Sequence, residues 1–78
     1  MNRLGIRIKT LRLAKGYSQA ELAAKIGGSS TGICLWENGL LCYSRSIPKL
    51  ARALDVDPVE LAELWMADSL ERMKREVI

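Results

Sequence analysis

The chain has 78 residues, enough for one small domain, and 49% of them are hydrophobic although phenylalanine is absent. Two cysteines are too few for a disulfide framework, and without histidine they form no metal-site pattern. No apolar run approaches the roughly 18–20 residues that span a bilayer, and the first five residues do not resemble a secretory signal.

The net charge is +3, but residues 1–54 carry +7 and residues 55–78 carry −4. This asymmetry is typical of a domain that presents one face to a polyanion, although an ordinary solvated charge distribution would look the same.

The first predicted helix begins at Met1 or Asn2 and ends at Gly16. Apolar residues recur along it at helical spacing. Its predicted buried stripe consists of Leu4, Ile6, Ile8 and Leu11.

Residues 18–39 predict two further short helices joined by a turn. Ser18 and Glu21 have the spacing of a capping box, in which each side chain accepts the other residue's backbone N–H. Gly27-Gly28 stops the helix that follows, because glycine adopts a positive φ without steric cost. Two helices linked by a short glycine-containing turn are typical of a helix-turn-helix, whose second helix enters a DNA major groove.

The third helix is capped by Ser29 or Ser30 and ended by Asn38-Gly39. Ile33 and Trp36 lie three residues apart, so both can face inward. The opposite side of this helix remains available to a ligand.

At these residues the sequence resembles the helix-turn-helix domains of the phage repressor/Cro family, also called the Xre family. The resemblance lies in SQAELAAKIG, WENG and the flanking RIKTLRLAKG and IPKLARALDV, and it covers residues 4–64. It implies an all-α fold, specifically a compact five-helix lambda-repressor-like DNA-binding domain. It also implies a cytoplasmic protein encoded by a bacterium or a phage.

The resemblance implies that Gln19 contacts a DNA phosphate, and Asn38 is a candidate for a second phosphate contact. Alternatively, Gln19 only initiates its helix and Asn38 only ends the third one. None of the residues expected to face the bases is an Asn, Gln, Arg or Lys, so direct base readout would be modest and DNA shape, water or the next loop would contribute. The expected base-facing set is Ser30, Thr31, Gly32 and Leu35, and Ser29 is also expected to contact DNA.

The resemblance further implies a buried structural ion pair between Arg12 and Glu37. The alternative is a surface arginine. Arg45 matches a position at which relatives place an arginine in the minor groove between half-sites, so the resemblance implies a DNA contact. The alternative is that Arg45 is a free surface charge.

The loop from Leu40 to Tyr43 is hydrophobic where relatives are basic or polar. An apolar surface loop indicates a partner, which could be the fourth helix, a second copy of the chain or another protein.

Ser46 is predicted to cap the fourth helix, with Pro48 in its first turn. The expected core face of that helix is Ile47, Leu50, Ala51 and Leu54. The sequence Asp57-Pro58-Val59-Glu60 starts a fifth helix that meets no later breaker.

The fifth helix is longer than a minimal domain needs. We expect residues 1–65 to form the domain, with the helix-turn-helix at 18–37, and residues 66–78 to extend its last helix. Leu61, Leu64 and Trp65 should complete the core. A second apolar seam predicts dimerisation, or else a tail whose methionines cover nearby surface; it consists of Met66, Leu70, Met73 and Val77.

No arrangement of residues indicates catalysis or a cofactor site. The resemblance and the second apolar seam together imply a homodimeric, sequence-specific transcriptional regulator, acting as a repressor on a two-fold DNA operator. The alternative is a protein-interaction module, such as an antitoxin or an anti-repressor partner, whose DNA binding is weak or secondary.

Overall fold

The computed structural model describes the backbone of residues 2–77 and the side chains of residues 2–76. The described chain is all-helical and contains no strand. The predicted five-helix, all-α fold is confirmed. The helices are α1 (Arg3–Ala14), α2 (Gln19–Ile26), α3 (Ser30–Glu37), α4 (Ile47–Leu54) and α5 (Pro58–Val77), and a single 3₁₀ turn, Ser44–Ser46, precedes α4.

One hydrophobic core lies between the five helices, and every helix contributes to it. The four residues expected on the core face of α4 are all buried. Leu64 and Trp65 of α5 pack against the core, although both remain partly exposed. The largest fully buried side chains are Ile8, Leu22, Ile33, Leu50, Leu54 and Leu61.

The buried side of α1 differs from the predicted stripe at one position. Leu4 and Ile8 are buried and Leu11 is partly buried, but Ile6 is 62% exposed. Ile6 points roughly 160° away from Ile8 around the helix, so the two cannot share a face. The inclusion of Ile6 in the stripe is therefore wrong.

The capping box of α2 has both of its hydrogen bonds. The Ser18 hydroxyl accepts from Glu21 N at 3.0 Å, and Ser18 N donates to Glu21 Oε1 at 3.0 Å. These bonds lower the pKa of the Glu21 carboxyl. The helix ends at Gly27, which has φ of 70°. Of the two candidate caps for α3, Ser29 is the one used, and its hydroxyl accepts from Gly32 N at 3.1 Å.

The structure corrects one prediction about the segment between α3 and α4, the side-chain cap by Ser46. Cys42 is only 4% exposed and belongs to the core, so the chain itself covers part of the predicted apolar loop, while Leu40 and Tyr43 are exposed. Burial raises the pKa of its thiol to about 11. Its carbonyl accepts from Trp65 Nε1 at 2.8 Å, which fixes the loop to α5. Ser46 occupies the N-cap position of α4, but its side chain makes no capping hydrogen bond, because the 3₁₀ turn leads directly into the helix.

The start of α1 is capped by a residue from the far end of the chain. Asn2 is the N-cap residue, but its side chain donates to the Glu37 carbonyl at 2.8 Å instead of capping its own helix. The buried Asp68 carboxylate accepts from Leu4 N at 2.9 Å and from Arg3 N at 3.3 Å. A carboxylate at a helix N-terminus both satisfies free N–H groups and complements the helix dipole. The part of α5 after residue 65 thus also contacts α1.

Helix α1 passes so close to the end of α3 that one position excludes any side chain. A Cβ at Gly5 would overlap the Trp36 carbonyl oxygen and the Asn2 side chain. The backbone oxygen cannot rotate away as a flexible side chain could. The α1–α3 packing distance therefore requires glycine at this position.

We expect Gly5→Ala to lower the free energy of unfolding by about 1–3 kcal/mol, because overpacking forces the two helices apart. Chemical denaturation followed by circular dichroism measures the change. Gly32→Ala in α3 is the matched control: its Cβ would meet only Ser29 Oγ at 3.4 Å, so helix propensity should leave stability unchanged or slightly higher. Equal losses from both substitutions would contradict the close-packing argument.

Candidate nucleic-acid interface

The exposed side of α3 contains the residues expected to read DNA. Ser30 and Thr31 are exposed, Leu35 is 47% exposed and Gly32 is partly exposed. On the other side, Ile33 is fully buried and Trp36 packs partly against the core. The helix therefore presents a continuous polar and small-residue edge that begins at its N-terminus.

The N-terminal turn of α3 offers hydrogen-bond donors as well as hydroxyl groups. Ser29 uses its oxygen to cap Gly32 N, which leaves the hydroxyls of Ser30 and Thr31 for an external partner. The first N–H groups of a helix have no acceptor within the helix, so they can also donate to a ligand. The helix has no cationic side chain of its own.

A buried ion pair joins α1 to the end of α3. Arg12 Nε donates to Glu37 Oε2 at 2.7 Å, and Nη2 donates to Oε1 at 3.1 Å, a bidentate arrangement. The side chains are 8% and 3% exposed, respectively. Arg12 Nη1 also donates to the Tyr17 carbonyl at 2.8 Å. The hydrogen bond with Glu37 raises the pKa of Arg12, so the guanidinium remains charged despite its burial.

Gln19 belongs to the same network, which the sequence did not predict. Its Nε2 donates to Glu37 Oε1 at 3.2 Å, so α1, α2 and α3 meet at one carboxylate. Gln19 is partly exposed, and its second Nε2 hydrogen and its carbonyl oxygen are available to an external group. Since Gln19 and Glu37 lie on different helices, nothing in the local sequence pattern indicates this contact.

Asn38 and Arg45 lie on either side of the loop after α3, and their side chains have different partners. Asn38 Nδ2 donates to the Cys34 carbonyl at 2.8 Å and so helps to close the helix. The Arg45 guanidinium lies over the Tyr43 ring, 4.6 Å from its centroid. Both side chains are exposed, and Tyr43 is 68% exposed. Sequence reasoning placed Tyr43 in an apolar loop and missed its role as a platform for Arg45.

The exposed face of α5 carries an apolar stripe. Met66, Leu70 and Met73 are each between 55% and 57% exposed, and Val59 is 57% exposed on the same side of the helix. Val77, the last predicted member of the seam, lies outside the described side chains. Four exposed apolar side chains along one helix leave a face that no part of the described structure covers.

Residues 2–76 contain no group of three or more Cys, Asp or Glu side chains that could hold a metal ion. None of the helices described combines the length and the apolar composition that a membrane span requires.

We expect Glu37→Gln to lower the free energy of unfolding by about 3–5 kcal/mol, because it leaves the buried Arg12 without a counter-charge. Denaturant titration measures the change. Glu63→Gln, the same substitution at an exposed position of α5, should change stability by about 0.5 kcal/mol or less. Similar small effects at both positions would show that the Arg12–Glu37 pair does not hold the three helices together.

A family model described as a helix-turn-helix domain matches residues 3–64. The match begins at the first residue of α1 and ends within α5, so it includes α2, the glycine turn and α3. This chain therefore belongs to the helix-turn-helix domain family.

Proposed function

We propose that this protein is a sequence-specific transcriptional regulator of the phage repressor/Cro (Xre) type. In this proposal a homodimeric repressor binds a two-fold operator and places α3 in successive major grooves. The observation that carries the proposal is the exposed N-terminal edge of α3 within a helix-turn-helix whose other side is fixed in the core.

Base contacts come from the exposed edge of α3. Hydroxyl groups of Ser30 and Thr31 bond to several base edges, and Leu35 contacts thymine methyl groups. Gly32 allows close approach of the helix backbone. Because no side chain in this set makes a bidentate pair with one base, specificity depends also on DNA shape and bridging water.

Phosphate contacts come from Gln19 and Asn38, with Ser29 at the start of α3. Arg12 neutralises the Glu37 carboxylate beside Gln19, so this part of the surface does not repel DNA. The hydrogen bond to Glu37 restricts the Gln19 side chain before DNA arrives, which lowers the entropic cost of its phosphate contact.

Arg45 enters the minor groove between half-sites, where a narrow groove has an enhanced negative potential. Its stacking on Tyr43 restricts the side chain and holds the charge away from the core.

Dimerisation uses the apolar stripe of α5. Val59, Met66, Leu70 and Met73 are separated by seven, four and three residues, the spacing of a heptad seam. Residues 66–78 thus act as a dimerisation extension, although Asp68 also fixes this part of α5 to α1.

The second candidate function is a protein-interaction module, as in an antitoxin or an anti-repressor partner. Two observations favour it: α3 lacks cationic side chains, and Leu40 and Tyr43 are 48% and 68% exposed. In that case a protein partner covers the loop from Leu40 to Tyr43.

We expect selection from a random pool of DNA duplexes to enrich an inverted repeat with half-sites about one helical turn apart. Arg45→Ala should lose the preference for A·T pairs at the centre of that repeat, since the minor-groove contact is absent. Arg72→Ala removes the same charge from the acidic half of the chain and should keep the preference.

Salt dependence separates the two candidate functions. Operator affinity should fall steeply between 50 and 200 mM salt, by roughly a factor of ten or more, because phosphate contacts release counterions. If no motif is enriched at either salt concentration, the proposal of a sequence-specific regulator is contradicted. The protein-interaction module is then the remaining candidate function.

We expect Leu70→Glu to convert a dimer into a monomer, because the substitution places a charge in the seam of the interface. Analytical ultracentrifugation against the chain mass of 8.7 kDa measures the assembly, and the dissociation constant should rise by at least about tenfold. Ile6→Glu is the matched control, since Ile6 is similarly exposed but lies on α1. A dimer that survives Leu70→Glu, or a wild-type monomer, would contradict the proposed interface.

A further inference from the structure

A second concave surface lies on the side of α2 that faces α4. It is a groove of about 640 Å³ between the end of α1, the second half of α2 and α4. Four cationic residues surround it and define what we call the cationic groove: Lys15, Lys25, Lys49 and Arg52.

This groove is separate from the candidate DNA surface. Gln19 and Lys25 lie six residues apart on α2, so their side chains point about 120° apart around the helix axis. Gln19 faces Glu37 at the end of α3, whereas Lys25 faces α4. No residue of α3 lines the groove.

The groove has a large excess of positive charge. The only carboxylate among its described lining residues is Asp55, which Lys15 contacts at 3.5 Å and which is 85% exposed. Lys49 and Arg52 are both exposed, and no carboxylate of the described chain pairs with either. Lys25 is held at the rim, because its Nζ lies 4.9 Å from the centroid of the Tyr17 ring.

The floor of the groove is less polar than its rim. Tyr17, Ile26 and Ala53 line it, and both Tyr17 and Ile26 are partly buried. An apolar floor surrounded by cationic groups is complementary to a ligand in which apolar and anionic groups lie a few ångströms apart. A volume of 640 Å³ lies within the usual range for binding clefts of roughly 300–1,000 Å³.

We propose that the cationic groove binds a short acidic segment of a partner protein in an extended conformation. In an extended chain, alternate side chains lie on one side about 7 Å apart. Lys49 and Arg52, one helical turn apart, have Cβ atoms about 5–6 Å apart. Carboxylates on one side of the segment thus meet successive cations of the rim, while the apolar residues that alternate with them point to the opposite side, toward the floor. A DNA duplex is a stiff rod that would contact the rim without reaching this floor.

The proposal goes beyond transcriptional regulation by DNA binding. Because the groove and α3 lie on different sides of α2, the acidic segment and DNA can bind at the same time. A measurement of DNA binding beside peptide binding therefore reports on the two surfaces separately.

The experiment measures fluorescence anisotropy of a labelled eight-residue peptide in which four glutamates alternate with leucine or alanine. The wild-type chain should bind this peptide. Lys25→Glu combined with Lys49→Glu should weaken binding by at least about tenfold, since attraction becomes repulsion at two rim positions. The matched control combines Lys9→Glu with Lys74→Glu, which makes the same change of charge at exposed positions outside the groove and should retain most of the affinity.

Three results would overturn the proposal. The first is no peptide binding by the wild-type chain, and the second is an equal loss of affinity in the groove and control variants. The third concerns the groove variant, Lys25→Glu with Lys49→Glu. If this variant loses binding to a 20-base-pair duplex but keeps its peptide affinity, the groove binds DNA and not the peptide. Thermal melts of both variants establish that they are folded.

An NMR titration of the wild-type chain with the same peptide gives a second readout that needs no variant. Amide shifts should be confined to residues around Tyr17, Lys25 and Arg52. Shifts centred on α3 would overturn the proposal, because the peptide would then occupy the candidate DNA surface.

Discussion

The buried ion pair between Arg12 and Glu37 is the interaction on which the arrangement of the first three helices depends. Its carboxylate receives donors from α1 and α2 and belongs to the last residue of α3. The hydrophobic effect is non-directional, whereas a bidentate Arg–carboxylate contact fixes both distance and angle. The pair adds little net stability after desolvation, but loss of either partner leaves a buried charge. Its main effect is therefore to fix the distances and angles between the three helices. These in turn set the position of the exposed edge of α3.

Local sequence signals were sufficient to predict the helix-turn-helix and the five-helix fold. Ser18 with Glu21, Gly27, and the periodic apolar residues of α4 each act within a few residues of their own position. Features that depend on distant parts of the chain were not predictable in this way. Gly5 is required by the Trp36 carbonyl, and the first turn of α1 is capped by Asp68. Ile6 is hydrophobic but 62% exposed, so at this position the angle around the helix decides burial and hydrophobicity does not.

The candidate site was predictable in position but not in its contacts. The exposed edge of α3 follows from helical periodicity once Ile33 is placed in the core. The contacts of Gln19 with Glu37 and of Arg45 with Tyr43 join side chains whose rotamers depend on tertiary packing or on local loop geometry. The burial of Cys42 was also not predictable, because an apolar loop residue can face either solvent or the core. In the structure Trp65 donates a hydrogen bond to the Cys42 carbonyl, and this contact joins residues that are distant in sequence.

The Asp68 carboxylate at the start of α1 has a consequence for the order in which the chain acquires its structure. Leu4 N–H and its acceptor are 64 residues apart in sequence, so nearly the whole chain is closed into one loop by this bond. Such non-local closure carries a loop entropy cost that no hydrogen bond within a single helix carries, and contacts of this kind slow folding. During synthesis, which proceeds at about 5–20 residues per second, the first turn of α1 has no Asp68 cap until that residue leaves the ribosome. The first turn of α1 is thus made first but is among the last parts of the chain to receive all its hydrogen bonds.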